Sequence, residues 1–358
     1  MTVAYHNTDV LLDSLKTAKK ATSFLTKRYF PEGATAEFIT KDVLIEFKNG
    51  NKKAAPFVVP HIGGVAVTRK GYTSKRFEPA NIEVFKTLRV DELQEKGFGE
   101  ALYSKDAPEV REQKLLAEDL LELDEMAIRR QEVMAAEVLS SSKIVMSYKT
   151  GENGKDETRE IRYYEEQANP YAFSVETEWD EVGATIIDDL FSMCQLMSTK
   201  GVKPEDLLVT PKVMSAFRKN TELMKLLDTK NYAIGNIAPE DIGDGAALLG
   251  KLNVDGYLLN LISYNEHYEN ESGVSVPFLA DGTIILTAPA VGQTVYGAVT
   301  QKEESDKQTH TYQGRRVPKV TTDVEGDKSK VKLTTKPLLA PKKIGGWISA
   351  VVITDSST

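Results

Sequence analysis

Four histidines, His6, His61, His267 and His310, and one cysteine, Cys194, are the residues that could ligate a metal or attack a substrate. The histidines are scattered singly, and no pair has a metal-ligand spacing. His267, in SYNEHYEN, reads as a loop or strand-end residue. One cysteine builds neither a thiolate cluster nor an intrachain disulfide, and it fits a reducing compartment. No G-x-S-x-G elbow occurs. Ser140 and Lys143 fit S-x-x-K, but they end a long helical stretch, where a lysine suits the helix dipole. Gly245 to Lys251 matches G-x-x-x-x-G-K and then fails, because Leu252 stands where a phosphate loop needs Ser or Thr to hold Mg²⁺. Gly243 and Gly245 read as turn residues. The acidic pairs Asp188-Asp189, Glu165-Glu166 and Glu303-Glu304 could do general acid–base work only in a cleft. The sequence supplies no second half for one, so they read as solvated surface, with one of Asp188 and Asp189 flanking a packed face. No catalytic residue, cofactor or metal is expected. A nucleotide-binding enzyme using the degenerate Gly245–Lys251 loop is the alternative from another class.

Charge is more informative. Arg69-Lys70 and Lys75-Arg76, interleaved with Tyr72 and Phe77, could stack bases and hold phosphates. The chain as a whole argues against that, with a net charge of -8 and a sequence pI of about 5.3; phosphate affinity comes from Lys and Arg displacing counterions. The charge is segregated. Residues 41–90 hold ten Lys or Arg against four Asp or Glu, and residues 91–140 hold six against fourteen. A basic segment of one copy reaching the acidic segment of the next would make a head-to-tail contact, which closes into rings or extends into lattices.

The elements that position these charges follow from periodicity. Residues 9–28 read as a loosely amphipathic helical arm stopped by Tyr29-Phe30-Pro31. Val43, Ile45 and Phe47 alternate before Asn49-Gly50, the strongest short hairpin signal, and the return is expected through AAPFVVP. Further strand-like pieces at Val65–Arg69 and across GYTSKRFEPANIEVF make a long ribbon, marginal alone and in need of a surface to lie on. Residues 109–139 are the clearest helix: Leu116, Leu120, Leu123, Ala127, Val133, Met134 and Val138 recur at threes and fours. At about 1.5 Å per residue the rod is about 46 Å long. A hairpin is expected around SYKTGENGKDETREIRYY, a helix over 182–199, a short strand over 207–210 and a helix through PKVMSAFRKNTELMKLLD. The chain turns strand-rich after Gly243. The block 180–300 reads as one α/β or α+β domain inserted between two parts of another. No run of about eighteen apolar residues occurs, and the N-terminus lacks the apolar core of a signal peptide.

Several local motifs, in collinear order, resemble the major capsid protein of lambda-like tailed bacteriophages. They are Phe24-Leu25-Thr26-Lys27-Arg28-Tyr29-Phe30-Pro31, Ala55-Pro56-Phe57-Val58-Val59-Pro60 with Gly63-Gly64, and the acidic helix EDLLELDEMAIRRQEVMAAEVL. Later come Pro277-Phe278-Leu279, Tyr296-Gly297-Ala298, Arg316-Val317-Pro318-Lys319 and Lys336-Pro337-Leu338. The resemblance implies an α+β Hong Kong 97-type shell fold. In it residues 1–33 are an N-arm, 34–92 an extended E-loop ribbon and 93–180 a P-domain with a spine helix over 109–139. Residues 181–300 are an A-domain, and 301–358 return to the P-domain. It implies self-assembly in the host cytoplasm into pentamers and hexamers of an icosahedral virion head around double-stranded DNA, with a separate scaffolding protein, a portal and a possible decoration protein. The runner-up within the fold is an encapsulin-like nanocompartment shell. Lys52, Lys53, Arg69, Lys70, Lys75 and Arg76 would then meet Glu118, Asp119, Glu122, Asp124 and Glu125 of a neighbour. Gly63, Gly64 and Gly71 would form a hinge.

Overall fold

The computed structural model describes residues 23–38, 43–47, 73–79, 81–93, 108–148, 157–163, 172–220, 223, 240–243, 245–304, 306–342 and 345–354. Four helices are described: α1 (Phe24–Tyr29), α2 (Pro108–Ser141), α3 (Ile186–Thr199) and α4 (Pro211–Lys219). The rest is strand and loop. α2 is 34 residues long, about 51 Å. It starts on Pro108, whose missing N–H costs nothing at a helix start. All seven apolar residues expected on its buried face are buried.

That face serves two cores in succession. Leu116, Leu120, Leu123 and Ala127 pack on a three-stranded antiparallel sheet ordered Val317–Asp323, Lys328–Thr335, Ile82–Arg89, through Leu88, Val320, Val331 and Leu333. Met134, Ala135, Ala136, Val138 and Leu139 belong to a larger core with α1, α3, α4 and a seven-stranded sheet. The order of that sheet is Ala172–Ser174, Trp347–Val351, Thr283–Thr287, Asp206–Val209, Tyr257–Tyr264, Ala246–Val254, Glu240–Gly243. It is mixed: Asp206–Val209 runs parallel to Tyr257–Tyr264 and antiparallel to Thr283–Thr287. Thr283–Thr287 is buried at every position, as a central strand covered on both faces must be. A third sheet joins distant parts of the chain: Gly292–Gly297 pairs parallel with Glu32–Phe38 and antiparallel with Pro337–Pro341.

Several expectations are corrected. The last turn of the expected arm is core, since Phe24, Leu25, Tyr29 and Phe30 are all buried. The third helix begins at Ile186: Val182 and Gly183 form a turn, and Thr185 takes the N-cap position. Val43–Phe47 does pair antiparallel, but its partner is Thr73–Phe77, with Phe47 opposite Thr73. A two-residue turn at Asn49-Gly50 would set Phe47 against a residue near Lys52, so it does not set the register of this pair. The expected hairpin after α2 is present as Lys143–Tyr148 with Glu157–Arg162. Asn49-Gly50, the return strand 54–60, Gly63, Gly64, Gly71, Lys52, Lys53, Arg69, Lys70, Tyr72, Asn153-Gly154, Glu165-Glu166, His6 and His61 lie outside the described residues.

Candidate functional site

The candidates for catalysis come apart in space. Ser140 Oγ donates to the carbonyl of Ala136 at 2.7 Å, while Lys143 Nζ sits 3.4 Å from Glu160. Residues 246–251 lie in the strand Ala246–Val254, paired along one edge with Tyr257–Tyr264 and, through Leu248, along the other with Glu240–Gly243; Lys251 is opposite Asn260, and the register shifts between Leu248 and Gly250. A phosphate loop needs free backbone N–H groups opening a helix, so the nucleotide-binding reading of Gly245–Lys251 is overturned. His267 lies exposed in the short strand His267–Glu269, and His310 Nε2 is 2.7 Å from Asp306. Burial pushes the Cys194 thiol up to about 12. Among the described residues no cluster of His, Cys, Asp and Glu could hold a metal, and no helix is long and apolar enough to cross a membrane. Of the acidic pairs, Asp188 is exposed and Asp189 accepts from Trp179 Nε1 at 2.9 Å. Glu303, expected on the surface, is buried and accepts from Gln301 Nε2 at 2.9 Å; Gln301, in the strand Val299–Lys302, also donates to the Pro318 carbonyl at 3.4 Å.

The charged residues expected to meet a neighbour divide into three groups. Glu118 and Glu125 are exposed on α2, Glu125 in an i,i+4 pair with Arg129 at 2.8 Å. Asp119 and Glu122 are already engaged within the chain by Lys86, whose Nζ is 3.0 Å from Asp119 and also contacts Glu122. Part of the charge complementarity read between residues 41–90 and 91–140 is therefore satisfied inside one subunit, at a lysine the sequence reading did not single out. Asp124 is buried and faces Arg316, with 2.7 Å between Oδ1 and Nε. It points into the subunit, so it is withdrawn from the expected contact. On the basic side, Lys75 and Arg76 lie in the strand Thr73–Phe77, and Arg76 is exposed. Phe77, at the base of the ribbon, packs on Tyr163 with ring centroids 5.4 Å apart.

The sequence reading missed the two buried carboxylates that fix the first motif, residues 24–31. Glu132, 2% exposed, caps α1 from a distance of 107 residues. It accepts from the backbone N–H of Leu25 at 2.6 Å and of Thr26 at 3.0 Å, from Thr26 Oγ1 at 2.7 Å and from Tyr264 Oη at 3.1 Å. Burial raises the pKa of this carboxyl above the usual glutamate range, and the four donors pull it back in part. Asp206, fully buried, takes both prongs of the Arg28 guanidinium, along with Tyr29 Oη at 3.2 Å and Asn260 Nδ2 at 2.8 Å. Thr294 Oγ1 donates to the carbonyl of Phe30 at 2.7 Å. A segment of only six helical residues cannot hold itself; these side chains hold it. The one sequence signal was negative: Glu132 interrupts the charge pattern of α2 by standing beside Val133 and Met134.

The family model described as phage major capsid protein E matches residues 7–352. A crystal structure of a capsid protein from a prophage of E. coli CFT073 superposes with a TM-score of 0.65 at 17% identity, covering 97% of this chain and 99% of that one. A phage-related protein from Bordetella bronchiseptica RB50 superposes with a TM-score of 0.54 at 9% identity, covering 96% of each chain. No curated protein matches by sequence. The fold is thus a mixed α/β one, similar to the Hong Kong 97-like capsid folds. With its family match running over nearly the whole sequence, the chain belongs to the phage major capsid protein E family, structural proteins of the bacteriophage virion.

Proposed function

We propose that this chain is the shell-forming subunit of a tailed-phage head, assembled in the host cytoplasm through pentamers and hexamers into an icosahedral shell around double-stranded DNA. The observation that carries the reading is the ribbon Val43–Phe47 with Thr73–Phe77. Among the described residues these strands pair only with each other, and an isolated two-stranded ribbon is marginal in water. It needs a surface, and a neighbouring subunit offers the exposed acids of α2, Glu118 and Glu125. In this reading residues 1–33 are the N-arm and 34–92 the E-loop, whose two ends, up to Phe38 and from Ile82, join sheets of the body. Residues 93–180 are the P-domain with α2 as spine, 181–300 the A-domain, and 301–358 the return. Lys52, Lys53, Arg69, Lys70, Lys75 and Arg76 meet these acids, with Gly63, Gly64 and Gly71 as the hinge. Exposed pairs contribute about 0–1 kcal/mol each, so apolar ribbon residues such as Phe57, Val58 and Val59 supply the remainder and multivalency multiplies it. A separate scaffolding protein, a portal and a decoration protein complete the head.

The test is negative-stain electron microscopy of the chain expressed alone and with a scaffold from its own gene cluster. Closed shells, tubes or capsomer rings are expected. The variant carrying Arg69→Glu and Lys70→Glu should remain folded and soluble and form none of them. Normal particles from that variant would remove the ribbon contact, and a clean monomer with scaffold present would remove the shell reading.

A further inference from the structure

The sheet that covers the N-terminal half of α2 has a second face, turned away from the helix. Strand alternation and register decide what lies there. Leu88, Val320, Val331 and Leu333 face α2. On the other face Lys319 stands opposite Lys332, Lys332 opposite Phe85, and Lys328 opposite Arg89. Lys330 places its Nζ 3.5 Å from the centroid of the Phe85 ring, and Phe85 is 55% exposed. Two carboxylates share the face: Glu83, 2.7 Å from Lys332 Nζ, and Asp323, 3.1 Å from Lys328 Nζ. Cations therefore outnumber carboxylates here, five to two, in a chain whose net charge is -8.

Two features set this face apart from an ordinary wet surface. Like charges directly opposite each other weaken a sheet, and here there are two such pairs, Lys319 with Lys332 and Lys328 with Arg89. A large aromatic side chain stands exposed among them. Glu83 and Asp323 offset Lys332 and Lys328, and Lys319 Nζ reaches the Lys302 carbonyl, but the charges of Lys319, Lys330 and Arg89 have no carboxylate on this face left to balance them; a local rule broken beyond what the fold offsets marks a functional surface.

We propose that this face docks an acidic protein segment carrying an apolar side chain, supplied by a separate protein. An exposed aromatic ringed by cations has the anatomy of a protein interface, an apolar centre inside a charged rim. An extended segment with carboxylates at alternate residues repeats every 6.6–6.8 Å or so, the same interval that separates Lys328, Lys330 and Lys332 along their strand. Duplex DNA fits less well: its backbone offers phosphate and sugar, nothing apolar for Phe85, and Glu83 and Asp323 would repel it. A second copy of this chain fits less well too. Its exposed acids Glu118 and Glu125 lie on the far side of α2, beyond the same two layers, and Glu122 is held by Lys86 of its own subunit. Copies side by side in a one-layer shell cannot bring the two faces together; this step alone rests on the shell reading.

The experiment titrates the full chain, as assembled particles and as soluble subunit, with three labelled probes. These are a peptide alternating Glu and Ser around one central Leu, the same peptide with the Leu replaced by Ser, and a short DNA duplex. The Leu peptide should bind with a salt-sensitive affinity that falls roughly tenfold or more in Lys319→Glu with Lys330→Glu, as the loss of two rim charges predicts. Phe85→Ala should weaken the Leu peptide and leave the all-polar peptide unchanged. If a charge reversal disturbs folding, judged by its urea midpoint, Lys319→Gln with Lys330→Gln replaces it. Tighter binding of the duplex, lost in the same variants, would overturn the proposal in favour of nucleic acid. Peptide binding indifferent to every variant would overturn it outright. Folded variants that no longer form particles would place the face between subunits and overturn the separate partner. A wild-type chain that forms no particles would sink the shell reading, and titration of the soluble subunit would still decide this one.

Discussion

Arg28 holds Asp206 with two nitrogens, Nε to Oδ2 at 2.6 Å and Nη2 to Oδ1 at 2.9 Å, across 178 residues of sequence. The acid is fully buried and the arginine side chain is 29% exposed. The pair fastens the first described helix to the middle of the seven-stranded sheet. Breaking such a pair leaves an uncompensated buried carboxylate, which costs about 3–5 kcal/mol. Arg28→Ala should therefore lower the unfolding free energy, measured by urea denaturation, by that amount. Arg28→Lys should recover only part of it, because an ammonium cannot reproduce the two-pronged geometry. A loss below 1 kcal/mol or so in Arg28→Ala would show that Asn260 and Tyr29 satisfy Asp206 without the cation.

What the sequence made legible was local. The apolar rhythm of α2 was readable because every one of its positions obeys a single 3.6-residue period. The strands after Gly243 were readable as a strand-rich stretch, while the turn at Asp255-Gly256, from which Val254 pairs with Tyr257, was not picked out. The illegible parts are contacts over long separations. Nothing near Glu132 announces that it caps a helix 107 residues earlier, and nothing near Val43 announces Phe77 as its partner. Asp124 and Glu125 are neighbours of one type; which of them turns inward depends on Arg316, supplied by the last part of the chain.

Glu132 gives a pH signature. Its pKa in the folded chain lies above the usual glutamate range. The unfolded chain therefore ionises first as pH rises, and the folded state loses relative stability through the window from the ordinary glutamate pKa up to the raised one. Glu132→Gln cannot titrate, but its amide turns two donors toward the Thr26 N–H and hydroxyl, a mismatch costing about 1–3 kcal/mol. Urea midpoints measured at steps of pH should show wild type ahead of Glu132→Gln, with the margin shrinking as pH rises through that window. A margin that grows instead would mean the four hydrogen bonds outweigh burial.

Two intrachain ion pairs on α2 should differ in worth. Arg316 and Asp124 are both largely buried, so Arg316→Ala should cost about 3–5 kcal/mol by stranding the acid. Lys86 is 36% exposed beside Asp119 and Glu122, and Lys86→Ala should cost no more than about 1 kcal/mol. Thermal denaturation of both variants ranks them. Equal losses would place the Lys86 cluster in a far less solvated setting than its exposure indicates.

Gly282 has a positive φ of 76°, and a Cβ added there would lie 1.9 Å from the carbonyl oxygen of Ile353. Its own backbone is committed, accepting from Val352 N at 2.8 Å while its N–H donates to Thr210 Oγ1 at 3.1 Å. Gly282→Ala therefore meets both a left-handed backbone penalty of about 1–3 kcal/mol and a backbone clash that only movement of the last strand relieves. It should be clearly less stable than wild type, and Trp347 fluorescence should report loosened packing of Trp347–Val351. A neutral Gly282→Ala would mean that this strand end yields freely.

Cys194 is fully buried within the larger core, on α3. Its thiol is pushed up to about 12 by burial alone. Disulfide exchange requires the thiolate and access to it, and the native chain supplies neither. Ellman's reagent should release no colour from the folded protein at neutral pH and one equivalent after denaturation in guanidinium. Because the reaction waits on opening of the α3 region, its rate in the absence of denaturant reads the stability of that core directly. Arg28→Ala, which loosens α1 from the sheet in the same core, should accelerate labelling, whereas Lys86→Ala, which touches only the other core, should not. Equal acceleration by both would show that the two cores joined by α2 open together.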